Sequence, residues 1–246
     1  IRVSSPGIGN IVMRHFASVA CGLLIACAAV PAMAEDAVVV ELYTSQGCSA
    51  CPPADEFMAM LTADPRIIAL SLHVDYWDYI GWEDVFAQPK FTDRQRAYAK
   101  VIGNRTIYTP QLIIGGQDRI EGFLPIETSE QLRRHLSATS PVELVLERLG
   151  DTIAIRAVAN PPLTEPVQVQ LVRYLPEKAV TIESGENAGK TITYRNIVTS
   201  WETVGEWSGR EPLEMTAPAA GSEPAVVILQ AYGPSTIVAA GRVDGR

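Results

Sequence analysis

Apolar residues fall along this chain in two rhythms. Up to about Ser140, short apolar runs are separated by longer stretches of mixed character; beyond it, run after run alternates apolar and polar positions. In the first part, Val38 to Tyr43 (VVVELY) predicts a buried strand. Thr44 to Gly47 is turn chemistry, and Ser49 to Leu61 predicts a helix whose first turn carries Cys48 and Cys51. Arg66 to Trp77 predicts a second strand, with Leu70, Leu72 and Val74 on one side of the pleat and Ser71, His73 and Asp75 on the other. After an aromatic-rich loop (Tyr76, Trp77, Tyr79, Trp82, Phe86), FTDRQRAYAKVIG predicts a helix capped by Thr92 and stopped by Gly103. QLIIGG, opened by Thr109-Pro110, and DRIEGF predict two short strands joined by a tight turn. Thr128 or Ser129 caps a last helix with Leu132 and Leu136 on one face.

In the second part VELVLER, TIAIRAVA, VQVQLVRY, TITYRNIV and AVVILQAYG are strand patterns. The turn signals between them are Gly150-Asp151, Asn160-Pro161-Pro162, Gly185-Glu186-Asn187 and Gly233-Pro234. About eight strands spaced in this way predict an antiparallel sandwich packed on the first domain. The fold class is therefore α/β followed by an all-β sandwich-like domain, with the boundary at Ser140-Pro141: residues 35–140, then residues 141–246.

Residues 1–34 read as a leader. Met13-Arg14 is a short basic start, Phe16 to Val30 an apolar core, and Ala32-Met33-Ala34 a small-x-small cleavage site, with residues 1–12 upstream of the initiator. The expected mature chain is exported, periplasmic or secreted. A competing reading takes Leu24-Ile25-Ala26-Cys27 as a lipoprotein signal; a membrane enters only if Cys27 is lipidated. Loss of Arg2 and Arg14 with the leader leaves 18 basic against 28 acidic side chains, a balance of −10 with no basic cluster. A nucleic-acid partner is excluded on that charge.

Cys21 and Cys27 also leave with the leader, so the mature chain keeps only Cys48 and Cys51. As a structural staple this pair is badly placed, because a bridge across three residues restricts the unfolded chain by only about 2 kcal/mol, against nearly 5 for a loop of about 100. As a zinc site it lacks ligands, since only His73 and His135 remain to join the sulfurs. A strand feeding a CxxC at a helix N-terminus instead suits a reactive dithiol. The unpaired N–H groups and positive dipole end favour a thiolate at Cys48, while Cys51 is placed to resolve a mixed disulfide. No cofactor is called for; the expected partners are protein thiols or disulfides, or an exported redox partner.

The order β-α-β-α-β-β-α over 37–139 resembles the thioredoxin fold. The blocks TSQGCSACPPAD, HVDYWDYIGW, YTPQLIIGG and GENAGKTITYRNIV together resemble the bacterial family called domain of unknown function 1223, exported thioredoxin-like proteins. The resemblance to thioredoxins implies Cys48 as attacking thiol, Cys51 as resolving thiol, and a cis Pro110 beside them, where the residues alone suggest a trans proline opening an edge strand. It also implies that Thr109 and Pro110 shape a substrate groove. Glu41, seven residues before Cys48, then stands as a buried acid able to take the proton from Cys51, or else as a half-exposed strand residue. Departures from thioredoxin are Gly47 in place of a tryptophan, Ser49-Ala50 between the cysteines, and Pro52-Pro53 directly after them.

His73 is a candidate proton donor or third metal ligand, against a partly buried histidine bonded to a carbonyl or to Asp75. Trp77 and its aromatic neighbours suit the floor of a peptide groove, or packing between the two parts. Three functions compete: thiol–disulfide exchange, Cu(I) handling by two thiolates and His73, and a binding module with an idle dithiol.

Overall fold

The computed structural model describes residues 1–4, 32–33 and 37–245. Residues 1–30 form one unit, of which only the exposed residues 1–4 are described; residues 31–246 form the other. The leader's apolar core and both its cysteines lie outside the described residues.

Among the described residues, β1 (Ala32–Met33), β2 (Val38–Thr44), α1 (Pro52–Ala63), β3 (Ile67–His73), a single 3-10 turn at Asp78–Ile80, α2 (Pro89–Val101), β4 (Gln111–Ile114), β5 (Asp118–Glu121) and α3 (Pro125–Leu136) come first. Seven strands follow: β6 (Val142–Leu149), β7 (Thr152–Ala159), β8 (Val167–Thr181), β9 (Thr191–Trp207), β10 (Leu213–Pro218), β11 (Ala225–Ala231) and β12 (Ile237–Val243). The fold is mixed α/β with one large sheet.

Each helix begins at a proline, which has no N–H to lose in a first turn and a φ already suited to a helix. This moves two expected starts. α2 opens at Pro89, so Thr92 lies inside its first turns rather than capping it, and its hydroxyl donates to Asp75 Oδ1 at 2.5 Å. α3 opens at Pro125, and the hydroxyls of Thr128 and Ser129 return to the carbonyls of Leu124 and Pro125.

The large sheet has eight strands in the order β12-β11-β8-β9-β3-β2-β4-β5. β2 and β3 are parallel, with α1 supplying the long crossover that a parallel pair requires, and β4 runs antiparallel to β2. α1 and α3 cover one face through Val40, Leu42, Met58, Leu61, Leu112 and Leu132. α2 covers the other, where Phe91 and Tyr98 meet Val39, Tyr43, Leu70 and Leu72. Each fully buried Leu or Met contributes about 1.5–3 kcal/mol.

The two parts of the chain share this sheet. Asn196, in the left-handed region (φ 47°), turns β9 alongside β3, where Ser71 pairs with Ile197, Asn196 Nδ2 donates to Ala69 O, and Ser71 Oγ donates to Arg195 O. A four-stranded sheet, β1-β6-β7-β10, packs on the outer strands through Val142, Leu144, Ile155, Val169, Val227 and Leu229. β11 is buried on both faces, Val227 and Leu229 on one and Val226 and Ile228 on the other, which is why its sequence does not alternate.

Candidate functional site

The chain leaves β2 at Thr44 in two successive turns. Cys48 N–H donates to Ser45 O at 3.2 Å and Cys51 N–H to Cys48 O at 3.2 Å. Pro52 and Pro53 then set the start of α1, so both cysteines stand before the helix and not in its first turn; Cys51 is the N-cap residue. Its carbonyl accepts from Ala54 and Asp55 (2.9 and 3.1 Å). The two sulfurs form a disulfide, with Cα atoms 5.4 Å apart.

Cys48 Sγ lies 3.6 Å from Thr109 O, and Thr109-Pro110 is cis. Trp77 joins them: its indole N–H donates to Thr109 Oγ1 at 2.6 Å, and its Cβ lies where a Cβ on Gly47 would approach to 3.2 Å. The fold thus brings together Cys48, Cys51, Thr109, Pro110 and Trp77. Gly47 replaces the bulky residue expected there because Trp77, from another loop, fills that space. Ser49 and Ala50 are exposed, but Cys48 is 1% and Cys51 0% accessible. A reactive dithiol calls for a sulfur that a substrate can reach, and here the disulfide is covered.

Glu41 is fully buried, but it does not lie on the α1 face of β2. It points with Val39 and Tyr43 toward α2, where Arg94 binds both its oxygens at 2.8 Å and Tyr43 and Tyr98 donate at 2.9 and 2.6 Å. Burial, and after it the Glu41 charge, push both phenols up, so they stay donors. A carboxylate so fully paired, on the far face of the sheet, is a structural centre. The proton-acceptor role is withdrawn.

A second buried acid was not foreseen. Asp55 stands one helical turn after Cys51 and faces the sheet at 2% accessibility. Neither of its oxygens has a hydrogen-bond partner among the described residues, nor do Thr44 Oγ1, His73 Nε2 or Tyr194 OH, all buried. These groups converge. Thr44 and His73 are register partners on β2 and β3, and the Tyr194 ring meets the His73 ring edge-on at 4.9 Å. His73 Nδ1 bonds to Asp84 Oδ2 at 2.7 Å, not to Asp75, and Asp84 also accepts from Gln46 N–H (2.8 Å) and Phe86 N–H (2.9 Å). Burial pushes Asp55 up to about 7, against the pull of the His73 charge and of the Thr44 hydroxyl, which lies near the carboxyl but beyond hydrogen-bond length, and with the push of Asp84. In sequence, the one signal was an acid in α1's first turn, which reads as an ordinary answer to the helix dipole.

His73 is held between Asp84, Phe86 and Tyr194, and among the described residues no three His, Cys, Asp or Glu side chains converge to hold a metal. The third-ligand role expected of His73 has no support in this geometry.

No curated protein matches the chain. Two solved structures are similar. The Agrobacterium tumefaciens protein AGR_C_4864 is 32% identical with a TM-score of 0.73, over 87% of this chain and 97% of that one. HBP35 of Porphyromonas gingivalis is 13% identical with a TM-score of 0.62, over 85% of this chain and 75% of that one, a likeness of fold alone. The model of a family described as "protein of unknown function (DUF1223)" matches residues 39–230. The covered disulfide, the proline loop and the buried acid all fall within that span, and the chain belongs to the DUF1223 family.

Proposed function

We propose that this protein is an exported thiol–disulfide oxidoreductase of thioredoxin-like build, with Cys48 and Cys51 as its reacting pair. The observation that carries the reading is the disulfide at the N-terminus of α1, its Cys48 sulfur 3.6 Å from the carbonyl before cis Pro110. The arrangement β3-β2-β4-β5, with α1 and α3 on one face and α2 on the other, resembles a thioredoxin core and supports the same reading.

The chemistry runs from the oxidised form described above. A substrate thiolate attacks Cys48 Sγ; the Cys48–Cys51 bond breaks and Cys51 leaves as a thiolate. Asp55, protonated over much of the range below about pH 7, supplies the proton. A second substrate thiolate then attacks its own sulfur in the mixed disulfide and releases Cys48 as a thiolate. The substrate loses two electrons and gains a disulfide, and the protein becomes a dithiol. In reverse, Cys48 attacks a substrate disulfide and Asp55 takes the Cys51 proton as Cys51 resolves the intermediate. Thr109 and Trp77 wall the approach, and the α1 dipole favours the thiolate in either direction.

Burial of both sulfurs favours a second reading, a closed disulfide that pins the turn before α1. One experiment separates the two. Cys51→Ser, reduced and mixed with periplasmic extract, traps substrates as mixed disulfides on Cys48 that a reductant releases and Cys48→Ala does not form. An empty trap leaves the pinning reading.

A further inference from the structure

The β8–β9 hairpin belongs to the second part of the chain, yet its tip is built into the redox site. Asn187, at 1% accessibility, donates from Nδ2 to Gln46 O and to Cys48 O, both at 2.9 Å, spanning the carbonyls on either side of Gly47. Lys190 Nζ donates to its Oδ1 at 2.8 Å and so fixes which way the amide faces. The tip is closed on itself by Ile182 N–H to Lys190 O (2.9 Å) and Gly189 N–H to Ile182 O (2.8 Å). It also bears on the loop beside the site. Ser184 Oγ donates to Gly81 O at 2.5 Å, and Gly185, at φ 78°, leaves room for Trp82, whose Cβ a side chain there would meet at 3.2 Å. Trp82 in turn donates to Gln46 Oε1 at 2.8 Å.

We propose that Asn187 is a positioning residue for Cys48: by tying the Gln46 and Cys48 carbonyls to the hairpin tip it keeps the sulfur turned against Thr109, and lifting the tip admits the attacking thiol. This gives the second part of the chain a role in the site, and it rests on reading Cys48 as the sulfur that is attacked. The chemistry is specific, because one carboxamide nitrogen serves two carbonyls at once. An aspartate of the same shape has no hydrogen to give and would set a carboxylate against both oxygens.

The test uses the full oxidised chain and follows reduction of the Cys48–Cys51 disulfide by a neutral phosphine, with quenching by alkylation and mass spectrometry. Loss of two buried hydrogen bonds makes opening more frequent, so Asn187→Ala and Asn187→Asp are expected to react on the order of ten- to a hundredfold faster than the parent. Lys190→Gln, which only orients the amide, is expected to gain by about severalfold. Ile155→Val, in the core between the two sheets, supplies a control that loses stability with no gain in rate. A rate within twofold of the parent for folded Asn187→Asp overturns the proposal, as does an equal acceleration in Ile155→Val. Should Asn187→Ala not fold, the Asp and Lys190 variants decide it. A disulfide that responds to these substitutions but never exchanges with glutathione would sink the oxidoreductase reading and leave the positioning role standing.

Discussion

The two faces of β2 each bury an acid, and the difference between them is instructive. On the α2 face Glu41 meets a guanidinium and two phenols, and every part of it is engaged. On the α1 face Asp55 meets no hydrogen-bond partner among the described residues and lies among three other polar atoms that likewise find none there. Burial is alike, 0% and 2%, so burial alone does not make a proton carrier. Pairing decides it. Both oxygens of Glu41 have partners, whereas Asp55, with none among the described residues, is pushed up by burial and takes up a proton.

The largest effect that sharpens this contrast is expected from Asp55→Asn. Resolution by Cys51 should slow by about a hundredfold in single-turnover mixing with a disulfide substrate, the usual range for a lost proton carrier. Stability should change as well. With its folded pKa near 7 and an ordinary value of 3.8, Asp55 keeps a proton in the folded protein that the unfolded chain gives up. Its stabilising contribution is therefore whole below about pH 4 and is lost as pH rises through 7. Urea midpoints of the parent should fall across that window, and those of Asp55→Asn should fall less, leaving the variant more stable at pH 8 by on the order of 2–4 kcal/mol. A parallel pH dependence in the two proteins would place the carrier elsewhere.

A smaller effect sets the two faces against each other. Tyr98→Phe removes a hydroxyl that donates to Glu41 and accepts from Gln230, and should cost about 1.5–3 kcal/mol in urea denaturation. Tyr194→Phe removes a buried hydroxyl with no partner among the described residues, and should cost nothing or stabilise slightly. Equal costs would mean that the two faces are not differently satisfied.

What the sequence disclosed, and what it hid, follows range along the chain. The strand before the dithiol, the helix after it and the two short strands behind Pro110 were legible because each is signalled within a dozen residues. The turn signals of the second part also fell between observed strands. Arg94 lies 53 residues from Glu41 and Asn187 lies 139 from Cys48, and no local pattern announces either pairing. The joining of the two parts into one sheet turns on Asn196, a polar residue inside a strand pattern, whose left-handed backbone only the tertiary contact with Ala69 explains. The cover over Cys48 was hidden for the same reason, since it comes from Trp77, Thr109 and the hairpin tip together. Gly47 is the visible trace of it: the departure from the thioredoxin pattern there is space left for Trp77.

The most direct measurement is equilibration of the folded parent protein with glutathione buffers of graded potential, scored by alkylation of Cys48 and Cys51. A reacting pair gives one reversible two-electron transition with a definite midpoint, reached from the oxidised and the reduced side alike. A pair that stays oxidised across the whole glutathione range until the protein is unfolded would contradict the oxidoreductase reading.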